Sequence, residues 1–137
     1  MAKTFTAPFA QTTKVGTAVA TLAGTITDDA PTNTVLIATA GADGALLTSV
    51  TAIPRATVTA SALYLFISKD AGTTKRLVDS ALMSAHTVAV TTAIPVTDFT
   101  NISETTPIRL EAGDELYVSS GVALAGGIVF TAQMTDF

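Results

Sequence analysis

The chain holds few side chains that could carry out chemistry. Its 137 residues include one histidine, His86, and neither cysteine nor tryptophan. Nucleophilic catalysis needs a base within reach of the nucleophile, and the only candidate base of this type stands between Ala85 and Thr87. We therefore interpret His86 as a surface residue or as a residue at the start of a strand, and we expect no enzyme activity.

The acidic residues fall in predicted loops, where the oxygen ligands of calcium are normally gathered. The candidates are Asp28, Asp29, Asp43, Asp70, Asp114 and Glu115. No segment has the ligand spacing of a calcium-binding loop, and a chain with no cysteine and one histidine is a poor transition-metal ligand set. Together with Glu111, these carboxylates are typical of turns, so we predict neither a metal nor another cofactor.

Two glycine pairs and two tyrosines resemble binding motifs only in part. The glycine pairs are Gly41 with Gly44 and Gly126 with Gly127. Neither pair is followed by the Lys-Ser/Thr ending and the helix of a phosphate-binding loop, so both are predicted to form hairpin turns. Tyr64 and Tyr117 are the only tyrosines available for a carbohydrate platform. The simpler interpretation places both in the core or half-buried in strands.

The composition favours strands over helices. The chain contains 26 threonines and 24 alanines, and threonine is β-branched and suits a half-wet pleated surface. No stretch keeps apolar residues at the helical spacing over three turns. The fold predicted from the sequence is therefore all-β, an antiparallel β-sandwich resembling a jelly roll, with about eight short strands separated by turn signals. An immunoglobulin-like topology has a similar number of short alternating strands and stays an alternative.

Charge and hydropathy exclude two classes of partner. The net charge is −4 and the seven cationic residues are dispersed, which argues against a nucleic-acid-binding face. The longest apolar stretch, 122–130, contains two glycines and is shorter than the roughly 20 residues that span a bilayer. The first 14 residues lack the apolar run of a secretory signal. We accordingly expect no membrane partner, no nucleic acid and no small-molecule substrate.

The clearest predicted element is a β-hairpin. Its first arm, 58–68, contains the continuous apolar run 63–67, which is expected where both faces of a strand are covered. A short loop with Asp and Gly leads to its second arm, 75–83. The other predicted strands begin with an alternation of valine and threonine after Lys14. They are 15–21, 34–39, 46–53, 87–94, 115–119 and 128–134.

The chain divides into an N-terminal arm, residues 1–14, and one sandwich domain, residues 15–137. The arm has no helical or strand period, and it carries the candidate partner-binding residues. These are Lys3, Phe5, Pro8 and Phe9. An arm that adds as a strand to a partner's sheet binds through main-chain hydrogen bonds, and Phe5 and Phe9 would be its apolar anchors. The alternative is a frayed terminus without a role.

Four segments, in this order, resemble a known family. They are 38–44 (ATAGADG), 63–72 (LYLFISKDAG), 110–118 (LEAGDELYV) and the terminal Asp136-Phe137. Together they are similar to small virion structural proteins of tailed bacteriophages, mostly capsid decoration or cement proteins. The resemblance spans roughly residues 34–137 and leaves the N-terminal arm outside it.

The resemblance implies a sandwich or jelly-roll protein, made in the host cytoplasm, on the outer surface of the virion's icosahedral head. Such a protein is commonly a homotrimer, and it clamps neighbouring subunits of the major capsid protein against the pressure of internal DNA. The family offers no catalytic residues to carry over. The alternative from a different class is a head-fibre or host-surface module that binds glycans on the same fold.

Overall fold

The computed structural model describes residues 12–137, which form nine strands and no helix. The described range therefore holds no helix that could cross a membrane. In chain order the strands are β1 (Thr12–Ala20), β2 (Val35–Thr39), β3 (Ala45–Pro54), β4 (Ser61–Ser68), β5 (Arg76–Met83), β6 (Thr97–Asp98), β7 (Ile108–Leu110), β8 (Glu115–Ser120) and β9 (Ile128–Asp136). The all-β prediction is confirmed.

The strands pair in a nested order across two antiparallel sheets. The first sheet has the order β1-β9-β3-β6, with β7 also paired to β3, and the second has the order β2-β8-β4-β5. β1 thus pairs with β9, β2 with β8, β3 with β6 and β7, and β4 with β5. A long antiparallel ribbon rolled up in this way is a jelly roll, one of the sandwich topologies that fit the strand pattern of the sequence.

The core lies between the two sheets and is filled from both sides. In the second sheet, β4 and β8 turn Leu63, Leu65, Leu116 and Val118 inward, all of them fully buried. The first sheet contributes Phe130, which meets Phe99 of the β6–β7 connection with ring centroids 6.5 Å apart. The alternation of apolar and polar residues along these strands is the cause, since successive side chains point to opposite faces.

Small residues form the inner face of β1. Gly16, Ala18 and Ala20 point toward the core, while Val15 and Thr17 point outward and are exposed. The reason is a close approach of the two sheets, because a Cβ added at Gly16 would lie 2.2 Å from the backbone oxygen of Ile37 on β2. The conspicuous valines of this strand therefore belong to its outer face.

The connection between β1 and β2, residues 21–34, crosses the outer face of the second sheet. The backbone N–H of Gly24 donates to Ser120 O at one end of the sheet (2.9 Å), and Lys75 N–H donates to Asp29 O near the start of β5 (2.9 Å). Phe66 lies on this outer face and is only 1% exposed. The expectation that both faces of β4 are covered is therefore confirmed.

Three boundaries differ from the sequence predictions. Residues 87–94 form no strand: Val90 is fully exposed, and Val88 N–H donates to the Thr57 hydroxyl instead of a neighbouring strand. The edge of β3 is occupied by β6, which lies in a segment predicted as loop, and by β7. Finally, residues 12–14, assigned to the arm, pair with β9 and belong to β1. Neighbouring strands, and not local alternation, determined each of these boundaries.

We expect Gly16→Ala to destabilise the fold by about 1–3 kcal/mol, because the new methyl group must push two backbones apart. The matched control is Thr17→Ala on the exposed outer face of the same strand, which should change the free energy of unfolding by no more than about 0.5 kcal/mol. Urea denaturation of both variants measures the difference. Equal stability of the two variants would contradict the close approach of β1 and β2.

Candidate functional site

His86 lies half-buried beside a concavity of about 250 Å³. Its backbone exchanges two 3.0 Å hydrogen bonds with Val58, which holds the residue in place. The Nε2 atom is buried and has no hydrogen-bond partner among the described residues. The residues lining the concavity with it are Pro54, Leu82, Met83, Ser84, Pro95, Val96 and Thr97. None of these residues is acidic, so no carboxylate in the lining of the concavity pairs with the His86 imidazole.

The structure does not bring the loop carboxylates together. Within residues 12–137, no three His, Asp or Glu side chains lie close enough to one another to hold a metal ion. Asp28 accepts a hydrogen bond from Ala30 N–H in its own turn, and Asp29 pairs with Arg76 at 2.9 Å. Asp43 lies exposed in the turn between β2 and β3. Asp28 therefore acts within its own turn, whereas Asp29 joins the β1–β2 connection to the start of β5.

A buried carboxylate joins two turns at one end of the sandwich. The Asp114 side chain is 5% exposed and accepts hydrogen bonds from Lys69 Nζ (2.8 Å) and Glu111 N–H (2.9 Å). The hydrogen bond to Asp114 is the main cause of a raised pKa at Lys69, with a further contribution from Glu111. The cluster ties the β4–β5 turn to the β7–β8 turn, which is a structural role.

Asp70 organises the β4–β5 hairpin turn. Its Oδ1 accepts hydrogen bonds from Thr74 N–H (2.7 Å) and from the Ser68 hydroxyl (3.0 Å). Ala71 and Gly72 follow with positive φ angles, and Gly72 N–H donates to the Ser68 hydroxyl oxygen. The hydrogen bond from Thr74 is the largest cause of a lowered pKa at Asp70.

Both tyrosines are half-buried strand residues, as predicted. The hydroxyl of Tyr117 donates to Glu115 Oε1 (3.0 Å), and Lys75 Nζ lies 4.7 Å from the centre of its ring. Burial is the first cause of the raised pKa of Tyr117, and Glu115 adds to it. Tyr64 packs near Phe66, with ring centroids 6.4 Å apart.

The glycine pairs form turns, but not the predicted hairpin turns, because each turn connects strands of different sheets. Gly44 N–H donates to Gly41 O (3.1 Å), and Gly44 has a φ of 90°. Gly127 likewise donates to Leu124 O and has a φ of 85°. The N–H of Gly41 is bound to the Asp136 carboxylate (3.2 Å), so it already has an anionic acceptor within the protein.

The outer face of the first sheet carries no charged side chain across three strands. Its residues form four rows over β1, β9 and β3, each row consisting of residues paired directly across the sheet. The rows are Thr13-Thr135-Leu46, Val15-Gln133-Ser49, Thr17-Thr131-Thr51 and Val19-Val129-Ile53. All twelve are exposed or partly exposed. We call this surface the uncharged face; charge depletion of this kind is typical of the buried centre of protein interfaces.

The charges next to the uncharged face lie beyond its borders. Asp98 of β6 and Arg109 of β7 pair with β3 on the far side, and Arg55 directly follows β3 at one end of the face. Lys14 points to the other side of β1, where its Nζ meets Asp136 Oδ2 (3.1 Å) and the Thr39 carbonyl. The uncharged face leaves no local signal in the sequence, because its twelve residues come from three separate strands.

A second surface is the free edge of β5, which pairs with β4 and with no other strand of residues 12–137. It exposes three apolar side chains, Leu77, Val78 and Leu82, the last 71% exposed. At its middle, Ser80 N–H donates to the neighbouring Asp79 Oδ1 (2.8 Å) instead of to another strand. An exposed apolar edge of this length is a template for pairing with a further strand.

Concavities flank both ends of β5. The one beside His86 is lined by Leu82 and Met83 at the end of the strand. The other, of about 440 Å³, is lined by Arg76 and Val78 near the start of the strand and by residues of β4 and the turn. The sequence signal for this surface was the hairpin itself, but only the sheet order identifies β5 as an edge.

The partner-binding residues predicted in the N-terminal arm lie outside the described residues. They are Lys3, Phe5, Pro8 and Phe9. Thr12, the first described residue, is also the first residue of β1, at the edge of the first sheet.

Comparison with known proteins assigns no family to this fold. No protein-family model matches the chain, no curated protein does, and no solved structure matches the fold. Its function is therefore inferred from the jelly-roll sandwich, the uncharged face and the free β5 edge.

We expect Asp70→Asn to lower the free energy of unfolding at pH 7 and to remove part of its acid dependence. A lowered pKa means that the folded protein binds the proton more weakly than the unfolded chain, whose value lies near 3.8. The stabilisation by Asp70 is therefore present above that pH and is lost as the pH falls through and below it. Urea denaturation from pH 7 to about pH 2.5 measures the effect.

Asp43→Asn is the matched control. It removes an exposed loop carboxylate that forms no side-chain hydrogen bond among the described contacts. The stability difference between Asp70→Asn and wild type should shrink below pH 4, whereas Asp43→Asn should follow wild type throughout. A constant difference at all pH values would show that the charge of Asp70 does not act through the Thr74 hydrogen bond.

Proposed function

We propose that this protein is a capsid decoration protein of a tailed bacteriophage. It binds the outer surface of the head as a homotrimer and bridges and stabilises subunits of the major capsid protein. The observation that carries the proposal is the uncharged face, twelve residues on three adjacent strands without a single charge. The sequence resemblance in segments 38–44, 63–72 and 110–118 supplies the identity of the partner.

The uncharged face suits permanent attachment to a protein surface. Burying it desolvates hydroxyl groups and short apolar groups but no ionised side chain, and unpaired ionised groups are the costliest to bury. Neither described concavity is lined by its residues, whereas small ligands are taken up in pockets. Repetition of the contact on a symmetric shell adds avidity, so each individual contact needs only modest affinity.

The protein's charges support the same assignment. Three ion pairs of the described residues, Lys14 with Asp136, Lys69 with Asp114 and Arg76 with Asp29, lie outside the uncharged face. The charged residues that border it are Asp98 and Arg109 on the strands beyond β3 and Arg55 directly after β3. A partner surface of ordinary polarity therefore meets no uncompensated charge at the centre of the interface.

Co-sedimentation with heads assembled without the protein tests the proposal. We expect wild type to be a trimer by light scattering and to saturate heads at a fixed stoichiometry. Thr131→Glu places a charge at the centre of the uncharged face, and Thr17→Glu places one at an exposed position on it. Each should weaken attachment about tenfold or more, because a charge without a partner is desolvated on binding.

Thr59→Glu is the matched control, since it adds the same charge at an exposed loop position. It should bind heads like wild type. Circular dichroism and thermal unfolding verify that all variants keep the fold. A monomeric wild type that ignores heads would contradict the proposal and would favour the alternative, a head-fibre or glycan-binding module, which a glycan array then tests.

A further inference from the structure

The β5 edge has the geometry of a strand acceptor. One side of β5 is bound to β4 along the whole strand, and the other side pairs with no strand among residues 12–137. At the middle of this side, Asp79 Oδ1 accepts hydrogen bonds from Ser80 N–H (2.8 Å) and from Asn101 Nδ2 of the β6–β7 connection (3.0 Å). The second carboxylate oxygen, Asp79 Oδ2, is buried without a hydrogen-bond donor in the described part of the chain. An added strand would pair the free backbone groups of β5.

The two concavities define the side-chain spacing of that strand. One is lined by Val78 and the other by Leu82, four residues further along β5. Val78 is unpaired at the β-bulge of the β4–β5 ladder, so the separation is at most the roughly 13 Å that four residues span in a regular strand. A strand added here therefore fits best if it carries bulky apolar side chains four residues apart.

The N-terminal segment of the chain has this spacing. Phe5 and Phe9 are four residues apart with Ala7 between them, and in an extended segment all three face the same side. Of the first 11 residues only Lys3 has a charged side chain. The segment therefore brings no negative side chain to an edge that already has Asp79 at its middle.

Within one chain, the N-terminal segment is too short to place Phe5 and Phe9 at the two concavities beside β5. β1 lies beside β2, whereas β5 is at the opposite edge of the second sheet, three strand spacings away. At about 4.8 Å per spacing and about 10 Å between sheets, Thr12 is roughly 17 Å from β5. Phe9 precedes Thr12 by three residues, which span at most about 10 Å. The segment that fills both concavities must come from another molecule.

We infer that residues 1–11 of one copy of this chain add as a strand to the β5 edge of a second copy, with Phe5 and Phe9 at the two concavities. The contact is heterologous, since arm and edge are different surfaces, and a heterologous contact that closes forms a ring. It deepens the proposed function by naming the contact that holds the homotrimer together. It assigns the arm to self-association and leaves the uncharged face for the capsid.

Cysteine cross-linking tests the contact directly, because the natural chain contains no cysteine. Ala7 is midway between Phe5 and Phe9, and Ser80 is midway between Val78 and Leu82, so the two lie opposite each other whichever way the added strand runs. Paired strand residues fall within the Cα separation that a disulfide needs. Ala7→Cys and Ser80→Cys are made in two separate chains that differ in length by a tag.

Mixing the two variants in a glutathione redox buffer should yield the mixed disulfide as the main product. Ala7→Cys mixed with Ala42→Cys, an exposed turn position, is the matched control. It should yield about tenfold less mixed disulfide, since only association raises the effective concentration of the thiols. Equal yields in the two mixtures would overturn the inference.

Self-association of the full chain provides the second readout. Phe5→Ala with Phe9→Ala should raise the dissociation constant of the oligomer about tenfold or more in light scattering, while Thr4→Ala with Thr6→Ala, on the other side of the extended segment, should leave it unchanged. On the acceptor side, Leu82→Lys should have the same effect as the phenylalanine variant. Val90→Lys, at a fully exposed position away from β5, should not.

Experiments with and without phage heads distinguish this inference from the proposed function. The inference predicts that the arm is bound to β5 in the purified protein, before any head is present. If the wild type is a monomer without heads and its arm becomes protected only on heads, the arm binds the capsid and the inference is wrong, while the decoration function stands. If the cross-link forms but heads are not bound, the proposed function fails and the self-association contact stands.

Discussion

The pairing of β9 with β3 is the contact on which the rest of the structure depends. β9 is the last strand of the chain, yet it lies in the middle of the first sheet, with β1 on one side and β3 on the other. Its ladder with β3 joins residues as distant as Ala45 and Asp136. Long-range pairs of this kind close large loops and are costly in entropy until the core forms. The first sheet, including its uncharged face, is complete only when the C-terminal strand is in place.

The two faces of the first sheet divide the commonest residues of the chain between them. Inside, Gly16 and Ala18 allow β1 to approach β2, while Phe130 fills the wider space further along. Outside, threonine and valine alternate with the inner residues and remain in contact with solvent. Threonine suits this position because its β-branched side chain fits the pleat and its hydroxyl stays hydrated. A chain rich in alanine and threonine thereby builds a tight interior and an outer face without charge.

Charged side chains lie in turns, at rims and at strand edges, where they hold the loops in place. Asp114 is the clearest case, since this buried carboxylate is satisfied by Lys69 and a backbone N–H and joins two turns at one end of the sandwich. The β1–β2 connection is held by Asp29 against the start of β5. As a result, the outer face of the second sheet is partly covered by this connection, whereas the uncharged face of the first sheet consists of exposed and partly exposed residues. The two sheets therefore present different surfaces to a partner, a face of three strands and a strand edge.

The sequence by itself determined the all-β class, the turns and the β4–β5 hairpin, because glycine positions, aspartate caps and the period of two act over a few neighbouring residues. Tertiary structure alone decided which strands are edges and which residues face outward together. The run 87–94 has a strand period but finds no neighbour, whereas β6 pairs in a predicted loop because β3 offers it a free edge. Likewise Thr17, Thr131 and Thr51 form one row only after three distant strands align. Hydrogen-bond pairing between strands is a long-range property, and no local pattern encodes it.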